Sequence, residues 1–174
     1  MTPEEVMARV ATLVPAAEPV PAELAREQAV VVVPRAQLIE ALRLLRDDPE
    51  LSFSVLSDLT AVDYLGREPR FEVVYQLRSL ARGHRLRVKV GLPGDDPTVA
   101  SASPLWNSAL WAEREVWDLF GVRFVGHPDL RRILMYPEFE GHPLRKDYPV
   151  NKRQVLVPER DPIKKPWYPK QEGS

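Results

Sequence analysis

The sequence predicts an α+β fold: an antiparallel, possibly mixed, β-sheet with helices packed on one face, followed by an extended proline-rich C-terminal tail. Two alternating stretches, RFEVVYQL from Arg70 and HRLRVKVGL from His84, indicate strands with one buried face and one solvated face. The connectors between the strand stretches are short enough for antiparallel hairpins. Amphipathic stretches before and after these strands indicate helices that cover the apolar face.

The first elements are a short helix and a buried strand. Thr2 is a suitable N-cap, Pro3 fits the first helical position, and Glu4 and Glu5 stand where the helix dipole favours carboxylates. The apolar stripe of this helix is Val6, Val10, Leu13 and Val14, and prolines from Pro15 onward end it. The four valines of 30–33 predict a buried strand.

A second helix is predicted after Pro34, and three strands follow it. The helix places Leu38, Ala41, Leu42 and Leu45 on one face. For the first strand, within Leu51–Leu59, the alternation predicts that Phe53, Val55, Ser57 and Leu59 share a face. The inward residues predicted for the other two strands are Phe71, Val73, Tyr75 and Leu77, then Leu86, Val88, Val90 and Leu92.

The stretch SPLWNSALWAEREVWDLFG, residues 103–121, predicts a helix with Ser103 as a cap and Gly121 as the left-handed stop. Glu113 falls in the middle of its apolar arc, so its carboxylate needs an arginine or several backbone donors. A general acid is one interpretation of Glu113. We favour a structural ion pair with the arginines downstream: Arg131, Arg132 or Arg145. Trp111 falls on the polar face, which makes it a candidate for binding a partner.

Two phrases of similar sequence, GHPDLRRIL from Gly126 and GHPLRKDYP from Gly141, contain histidines fifteen positions apart. His127 and His142 could bind a metal together with nearby carboxylates, and a stand-alone metal-dependent enzyme is one hypothesis. Neither histidine has the helical spacing of a known zinc motif. We favour the interpretation in which each Gly-His-Pro is a corner, because glycine permits a sharp turn and proline extends the residue before it.

The composition excludes several classes of function. The 174 residues include no cysteine, which excludes disulfides, thiolate zinc sites and ordinary iron–sulfur ligation. No apolar run reaches the length of a membrane span and no secretory signal is visible, so we expect a soluble, cytoplasmic chain. Residues 145–170 contain eight Lys/Arg and three Asp/Glu, and this basic tail leaves nucleic-acid binding as a further hypothesis.

The region 113–150 resembles the 30-kilodalton subunit of bacterial NADH-quinone oxidoreductase, respiratory complex I. The residues that carry the resemblance, together with Trp111, are the predicted family residues and partner interface. They are Trp111, Glu113, Arg114, Glu115, Asp118, Phe120, Gly121, Gly126, His127, Pro128, Asp129, Leu130, Arg131, Arg132, Gly141, His142, Pro143, Arg145, Lys146 and Asp147. The resemblance extends more weakly back to about residue 30, through SDLTAVDYLG at 57–66.

The resemblance implies a chain without catalytic, cofactor or metal residues of its own, in a complex whose other subunits carry FMN and iron–sulfur clusters. The implied partners are the quinone-site subunit and its iron–sulfur neighbours, at the cytoplasmic face of the cell membrane. Related complexes that use ferredoxin, a deazaflavin or hydrogen as electron donor contain similar subunits and remain an alternative. We expect a body over residues 1–121 and an extended segment over 122–174 that docks on the partners.

Overall fold

The computed structural model describes residues 2–21, 25 and 28–152. The predicted course of the tail after Lys152 therefore lies outside the described residues. In chain order the elements are helix α1 (Pro3–Leu13), strands β1 (Glu18–Pro19) and β2 (Val30–Val32), a 3-10 turn (Arg35–Gln37), helix α2 (Leu38–Asp47), strands β3 (Val55–Asp63), β4 (Phe71–Arg78), β5 (Arg85–Leu92) and β6 (Thr98–Ala100), helix α3 (Ala109–Phe120) and strand β7 (Arg123–Val125).

The main sheet has five strands in the order β1-β2-β5-β4-β3. Strands β5, β4 and β3 are antiparallel neighbours, as their short connectors predict. Strand β2 runs parallel to β5, with Val31 opposite Val88, because the chain passes from β2 through α2 before it returns to the sheet. The α+β class is therefore confirmed, and the sheet is mixed. A second, two-stranded parallel sheet pairs β6 with β7.

One hydrophobic core lies between the main sheet and the helices. The predicted inward residues of β4 and β5 are all buried, from Phe71 to Leu77 and from Leu86 to Leu92. They form one cluster with the apolar faces of α1, α2 and α3. The helices therefore share one face of the sheet, as the sequence predicts.

The first two helices follow their sequence signals closely. The Thr2 hydroxyl accepts a hydrogen bond from the Glu5 amide (3.3 Å), and the Glu5 carboxylate accepts one from the Thr2 amide (2.9 Å). This reciprocal capping box starts α1 at Pro3. Helix α2 buries the predicted Leu38, Ala41, Leu42 and Leu45 against the sheet.

Two predicted boundaries are wrong. The strand predicted over Leu51–Leu59 runs from Val55 to Asp63. An irregularity between Leu56 and Asp58 shifts its register, so Leu56 is buried and Ser57 is exposed. Such a bulge adds a residue and changes the faces locally, whereas Leu59, beyond it, is buried as predicted.

The helix predicted from Ser103 begins instead at Ala109. Ser103 does not cap it, because the Ser103 amide donates to the Ser101 hydroxyl (3.1 Å) within a turn. The Ser108 hydroxyl donates to the Leu56 carbonyl of β3 (2.9 Å) and ties this turn to the sheet edge. Serine side chains often compete with helical hydrogen bonds in this way.

After α3 the chain remains part of the body through β7. Val122 and Phe124 are buried, and β7 pairs with β6. The division into a body and a docking segment at 121/122 stays a prediction. Across the described residues, no helix combines the length and the apolar character that crossing a membrane requires.

The packing of α2 provides a matched test of the core. Replacing Leu45, which is fully buried, with alanine should lower the free energy of unfolding by about 2–5 kcal/mol, because a cavity remains beside the sheet. Leu44→Ala is the control, since Leu44 is 36% exposed on the same helix and should change it by less than about 1 kcal/mol. Urea unfolding of the full chain measures both. Equal losses for the two variants would contradict this placement of α2.

Candidate functional site

Helix α3 places one face against the sheet and leaves the opposite face exposed. Val116 and Phe120 are buried on the inner face. Trp111 lies on the outer face with 62% of its surface exposed, and the Arg114 guanidinium lies 5.1 Å from the centre of its ring. Gly121 ends the helix in the left-handed region at φ 77°, as predicted.

Glu113 is fully buried on the inner face of α3, as its place in the apolar arc predicts. Its carboxylate accepts hydrogen bonds from the Ser101 hydroxyl and the Ala102 amide, both at 2.6 Å. The predicted ion pair with Arg131, Arg132 or Arg145 is wrong, because none of these three arginines reaches this part of the core. The partners of Glu113 come from the turn after β6, which sequence spacing does not connect to α3.

The surroundings of Glu113 favour its protonated form. Burial raises the pKa of Glu113 from 4.5 to about 7, against the opposing effect of the hydrogen bonds from Ser101 and Ala102. The nearby Tyr75 hydroxyl is buried and has no hydrogen-bond partner among the described residues. Burial raises the pKa of Tyr75, and the charge of Glu113 raises it further. A neutral Glu113 is therefore the form that this core accommodates at low cost.

The ion pair expected at Glu113 is made by Asp118 instead. Asp118 is fully buried although its helical position predicts a polar, exposed face. One carboxylate oxygen pairs with the Arg132 guanidinium. The other accepts three backbone amides in succession: Ile133 (3.1 Å), Leu134 (2.8 Å) and Met135 (2.8 Å). Burial acts to raise the pKa of Asp118, but these four donors outweigh it and lower the pKa.

The segment 126–148, here called the strap, crosses the outside of the body after β7. No side chain of the strap is fully buried. Two arginines fix its first half to α3. Arg114 donates to the carbonyls of Arg131 (3.1 Å) and Arg132 (3.0 Å). Arg132 also donates to the carbonyls of Phe139 (2.8 Å) and Gly141 (3.0 Å), which closes the strap on itself.

The first Gly-His-Pro is a corner, as predicted. Gly126 has φ 87°, and the chain changes direction there. The Nε2 atom of His127 lies 3.0 Å from the Leu110 carbonyl, and its Nδ1 accepts from the Asp129 amide (3.0 Å). Both ring nitrogens of His127 are therefore engaged with the backbone.

The second Gly-His-Pro is also a corner, with φ 90° at Gly141. The Nδ1 atom of His142 lies 2.9 Å from the Asp118 carbonyl, near the end of α3. The His142 ring covers Gly121 so closely that a Cβ at that position would lie 2.7 Å from its Cδ2 atom. Two residues on, the Leu144 amide donates to the Leu119 carbonyl (3.0 Å). The strap thus satisfies backbone acceptors that the end of a helix leaves unpaired.

An alternating row of charges fixes the last part of the strap to the sheet. Arg70 makes a two-pronged contact with the buried carboxylate of Asp63, at 2.9 Å for both pairs of atoms. Arg70 also pairs with Asp147 (3.0 Å), which pairs with Arg145 (3.2 Å). The Lys146 amide donates to the Asp63 carboxylate (2.8 Å). The hydrogen bond from Arg70 is the main reason that the pKa of Asp63 is lowered.

Apart from Trp111, the predicted family residues divide into three groups. The structure brings together an inward-bonded set: Glu113, Arg114, Asp118, Gly121, His127, Arg132, His142, Arg145, Lys146 (through its amide) and Asp147. Phe120 is buried in the core and Leu130 packs partly against it. Glu115, Pro128, Gly126 and Gly141 are exposed, Pro143 is half-buried, and Asp129 pairs with Arg131 at the surface (2.9 Å).

Sequence reasoning missed Asp63 and Arg70 as functional-site residues. The signal that could have found them is charge placement: Asp63 falls in a strand position that alternation assigns to the core, seven residues before Arg70. Within residues 2–21, 25 and 28–152, no three metal-ligating side chains converge. The ion pairs and hydrogen bonds of this site hold the charged strap against α3. The outer surface of the strap and of α3 stays exposed to solvent.

Comparison with known proteins identifies the family. The sequence profile of the respiratory-chain NADH dehydrogenase, 30 Kd subunit, matches residues 31–154. The chain belongs to this family. The matched residues extend from Val31, within β2, through β7 and the whole strap, so the site described above lies within the family's common region.

Two curated relatives are identical to this chain at about half of the aligned residues. A protein of Roseiflexus castenholzii, named as a subunit of NADH-quinone oxidoreductase, is 53% identical over 119 residues, which is 68% of either chain. The protein of the same name from Citrifermentans bemidjiense is 49% identical over 139 residues, 80% of this chain and 82% of that one.

Two solved structures have the same fold. A trypsin-resistant fragment of Nqo5 is 41% identical, with a TM-score of 0.54 over 58% of this chain and 81% of that chain. A chain of the membrane-bound sulfane sulfur reductase, an archaeal respiratory membrane complex, is 29% identical, with a TM-score of 0.71 over 85% of this chain and 86% of that chain.

Removing the charge of Asp118 tests its role in holding the strap. Asp118→Asn leaves Arg132 without its buried partner and sets an amide group among hydrogen-bond donors. We expect the strap to lose about 3 kcal/mol or more of local stability. Hydrogen exchange should accelerate at the amides of Ile133, Leu134 and Met135, while the amides of β4 keep their protection. Asp129→Asn, which breaks an exposed pair, is the control with a change of less than about 1 kcal/mol. Unaltered exchange in Asp118→Asn would show that other contacts hold the strap.

The raised pKa of Glu113 predicts a pH dependence of stability. The folded state binds the proton of Glu113 more tightly than the unfolded chain does. The stabilisation is therefore complete below about pH 4.5 and is lost as the pH rises through 7. Relative to Glu113→Gln, the wild-type chain should lose about 2 kcal/mol between pH 5 and pH 8. Urea unfolding at each pH measures this difference, with Glu115→Gln on the exposed face of α3 as the control. A difference that does not change with pH would contradict a protonated Glu113.

Proposed function

We propose that this chain is a cofactor-free structural subunit in the peripheral arm of a proton-pumping NADH:quinone oxidoreductase. In this role it supports the quinone-site subunit while electrons pass from NADH through iron–sulfur clusters to quinone. The family, and the naming of the relatives as subunits of NADH-quinone oxidoreductase, support the assignment to this oxidoreductase complex. The chain takes part in catalysis through the complex and not through an active site of its own.

The observation that carries a supporting role is the orientation of the strap. Many of its charged and polar groups, such as Arg132 and His142, bond inward, whereas several large apolar side chains are exposed. The exposed apolar residues on and around α3 and the strap are Trp111, Val125, Leu134, Tyr136, Leu144 and Val150. Monomeric soluble proteins seldom expose this many large apolar side chains in one region, and such regions typically mark a protein–protein contact.

The proposed partners follow from this surface and from the family. The foremost is the quinone-site subunit, together with its iron–sulfur neighbours, and the predicted family residues form the scaffold of the interface. FMN and the iron–sulfur clusters belong to other subunits. The chain is held at the cytoplasmic face of the cell membrane through the complex, without membrane or nucleic-acid contacts of its own.

A second candidate is the equivalent subunit of a related complex with another electron donor. The likeness to a chain of the membrane-bound sulfane sulfur reductase favours this alternative, because it covers 85% of this chain. Identification of the chains that co-purify in mild detergent separates the two. An NADH-binding flavoprotein among them supports the NADH complex, and a hydrogenase-like or ferredoxin-linked set without it supports the alternative.

The exposed tryptophan of α3 tests the interface directly. Trp111→Ala should reduce the amount of this chain that co-purifies with the complex, because buried tryptophans at interfaces contribute about 2 kcal/mol or more, roughly 30-fold in affinity. The NADH:quinone turnover of each assembled complex should stay unchanged. Leu44→Ala, at an exposed apolar residue of α2 outside α3 and the strap, is the control. Normal assembly with abolished turnover would mean that the chain has a catalytic role and would contradict a purely structural one.

A further inference from the structure

Three arginines at one end of the main sheet lie together with unpaired guanidinium groups. Arg78 of β4 stands directly opposite Arg85 of β5, and Arg87 lies two residues further along β5, on the same face. None of the three guanidinium groups makes a hydrogen bond or ion pair with the described residues. The Nε atom of Arg87 is buried and unpartnered there. Most arginines in the described part of the chain are engaged, for example Arg9 and Arg70.

This arrangement is unfavourable for the chain alone. Like charges directly opposite on neighbouring strands destabilise a sheet. A buried donor without an acceptor adds a desolvation penalty. One carboxylate lines the same region, that of Asp58, and it forms no ion pair with the arginines. The cluster therefore presents one buried, unpaired donor, the Nε of Arg87, and an excess of positive charge.

The arginines line an open groove of about 710 Å³. Residues of β3, β4 and β5 and of the segment just before β2 form its walls, including Ser57, Gln76 and Gln28. Four adjacent strand positions span about 14 Å at the usual spacing between strands. An extended peptide of about four residues has this length, whereas a single phosphate or inorganic anion would fill a small part of it. Three apolar residues also contribute to the lining: Val6, Leu77 and Leu86.

We propose that this groove binds an extended, acidic segment of another subunit, whose Asp or Glu side chains pair with Arg78, Arg85 and Arg87. Guanidinium groups suit carboxylates because they donate two parallel hydrogen bonds. The groove opens at the β4–β5 end of the sheet and shares no residue with the strap. It is thus a second contact area of the chain. The inference rests on the proposed function, since it requires a neighbouring subunit.

A photo-crosslinking residue in the groove tests the proposal in the assembled complex. We would place benzoylphenylalanine at Gln76, which lies between Asp58 and Arg87 across three strands. After purification in mild detergent, we expect a cross-link to another subunit within a segment that contains at least two carboxylates. A cross-link to a segment without carboxylates, to lipid or within the same chain would overturn the proposal, as would the absence of any cross-link.

A variant without the charges of Arg78 and Arg85 tests their contribution in the same cross-linking experiment. In Arg78→Gln/Arg85→Gln the yield of this cross-link should fall about tenfold or more, because two charge-assisted hydrogen bonds are lost. The isolated variant chain should unfold at the same temperature as the wild type or higher, since the repulsion between the strands is relieved. Arg123→Gln is the control, because Arg123 is exposed on β7 outside the groove and should leave the cross-link unchanged. An unchanged yield in the double variant would overturn the proposal.

The two proposals fail in different ways. If the wild-type chain co-purifies with no other subunit, the proposed function is wrong and the groove has no occupant of this kind. If the complex assembles but the crosslinker at Gln76 does not react with a carboxylate-containing segment of another subunit, the proposed function stands and this inference alone is overturned.

Discussion

The buried carboxylate of Asp118 is the contact on which the outer half of the molecule depends. A charge of this kind, enclosed without donors, would cost several kcal/mol, and α3 alone supplies none of them. Arg132 and the amides of Ile133, Leu134 and Met135 supply all four. These four contacts therefore fix both the position and the direction of the strap where it passes the end of α3. The two Gly-His-Pro corners, and the bonds from their histidines to helix carbonyls, follow from that path.

Two carboxylates five residues apart on α3 behave in opposite ways because their surroundings differ. Glu113 faces the core and meets two donors, so burial dominates and raises its pKa to about 7. Asp118 meets four donors, one of them a guanidinium, and its pKa is lowered despite burial. The number of donors within reach, and not burial itself, decides which of the two is held as a charge. The strap is therefore bound by an ionised group, while the core beside Tyr75 favours a protonated carboxyl.

Local patterns were sufficient for much of the fold, but not for contacts between distant segments. The faces of β4 and β5, the Thr2 cap of α1 and the left-handed stop at Gly121 depend on neighbours in sequence, and all are confirmed. The bulge near Leu56 and the late start of α3 depend on hydrogen bonds across the fold. The partner of Glu113 could not be predicted, because the turn at Ser101 is brought to it by a parallel strand pair. Asp118 looked exposed because helical projection takes no account of a segment that returns to cover it.

The strap is bound by hydrogen bonds and ion pairs, without a fully buried side chain of its own. Its shape is nevertheless defined before any other subunit arrives, by contacts internal to this chain. Ordering a residue costs about 1–2 kcal/mol in backbone entropy, and for the strap this loss occurs during folding and not during assembly. Under the proposed function, a partner that contacts Leu134 or Leu144 would meet a backbone that is already hydrogen-bonded to α3. In the proposed complex the chain would act as a preorganised template, and the binding energy of that encounter would go into affinity and not into ordering a loop.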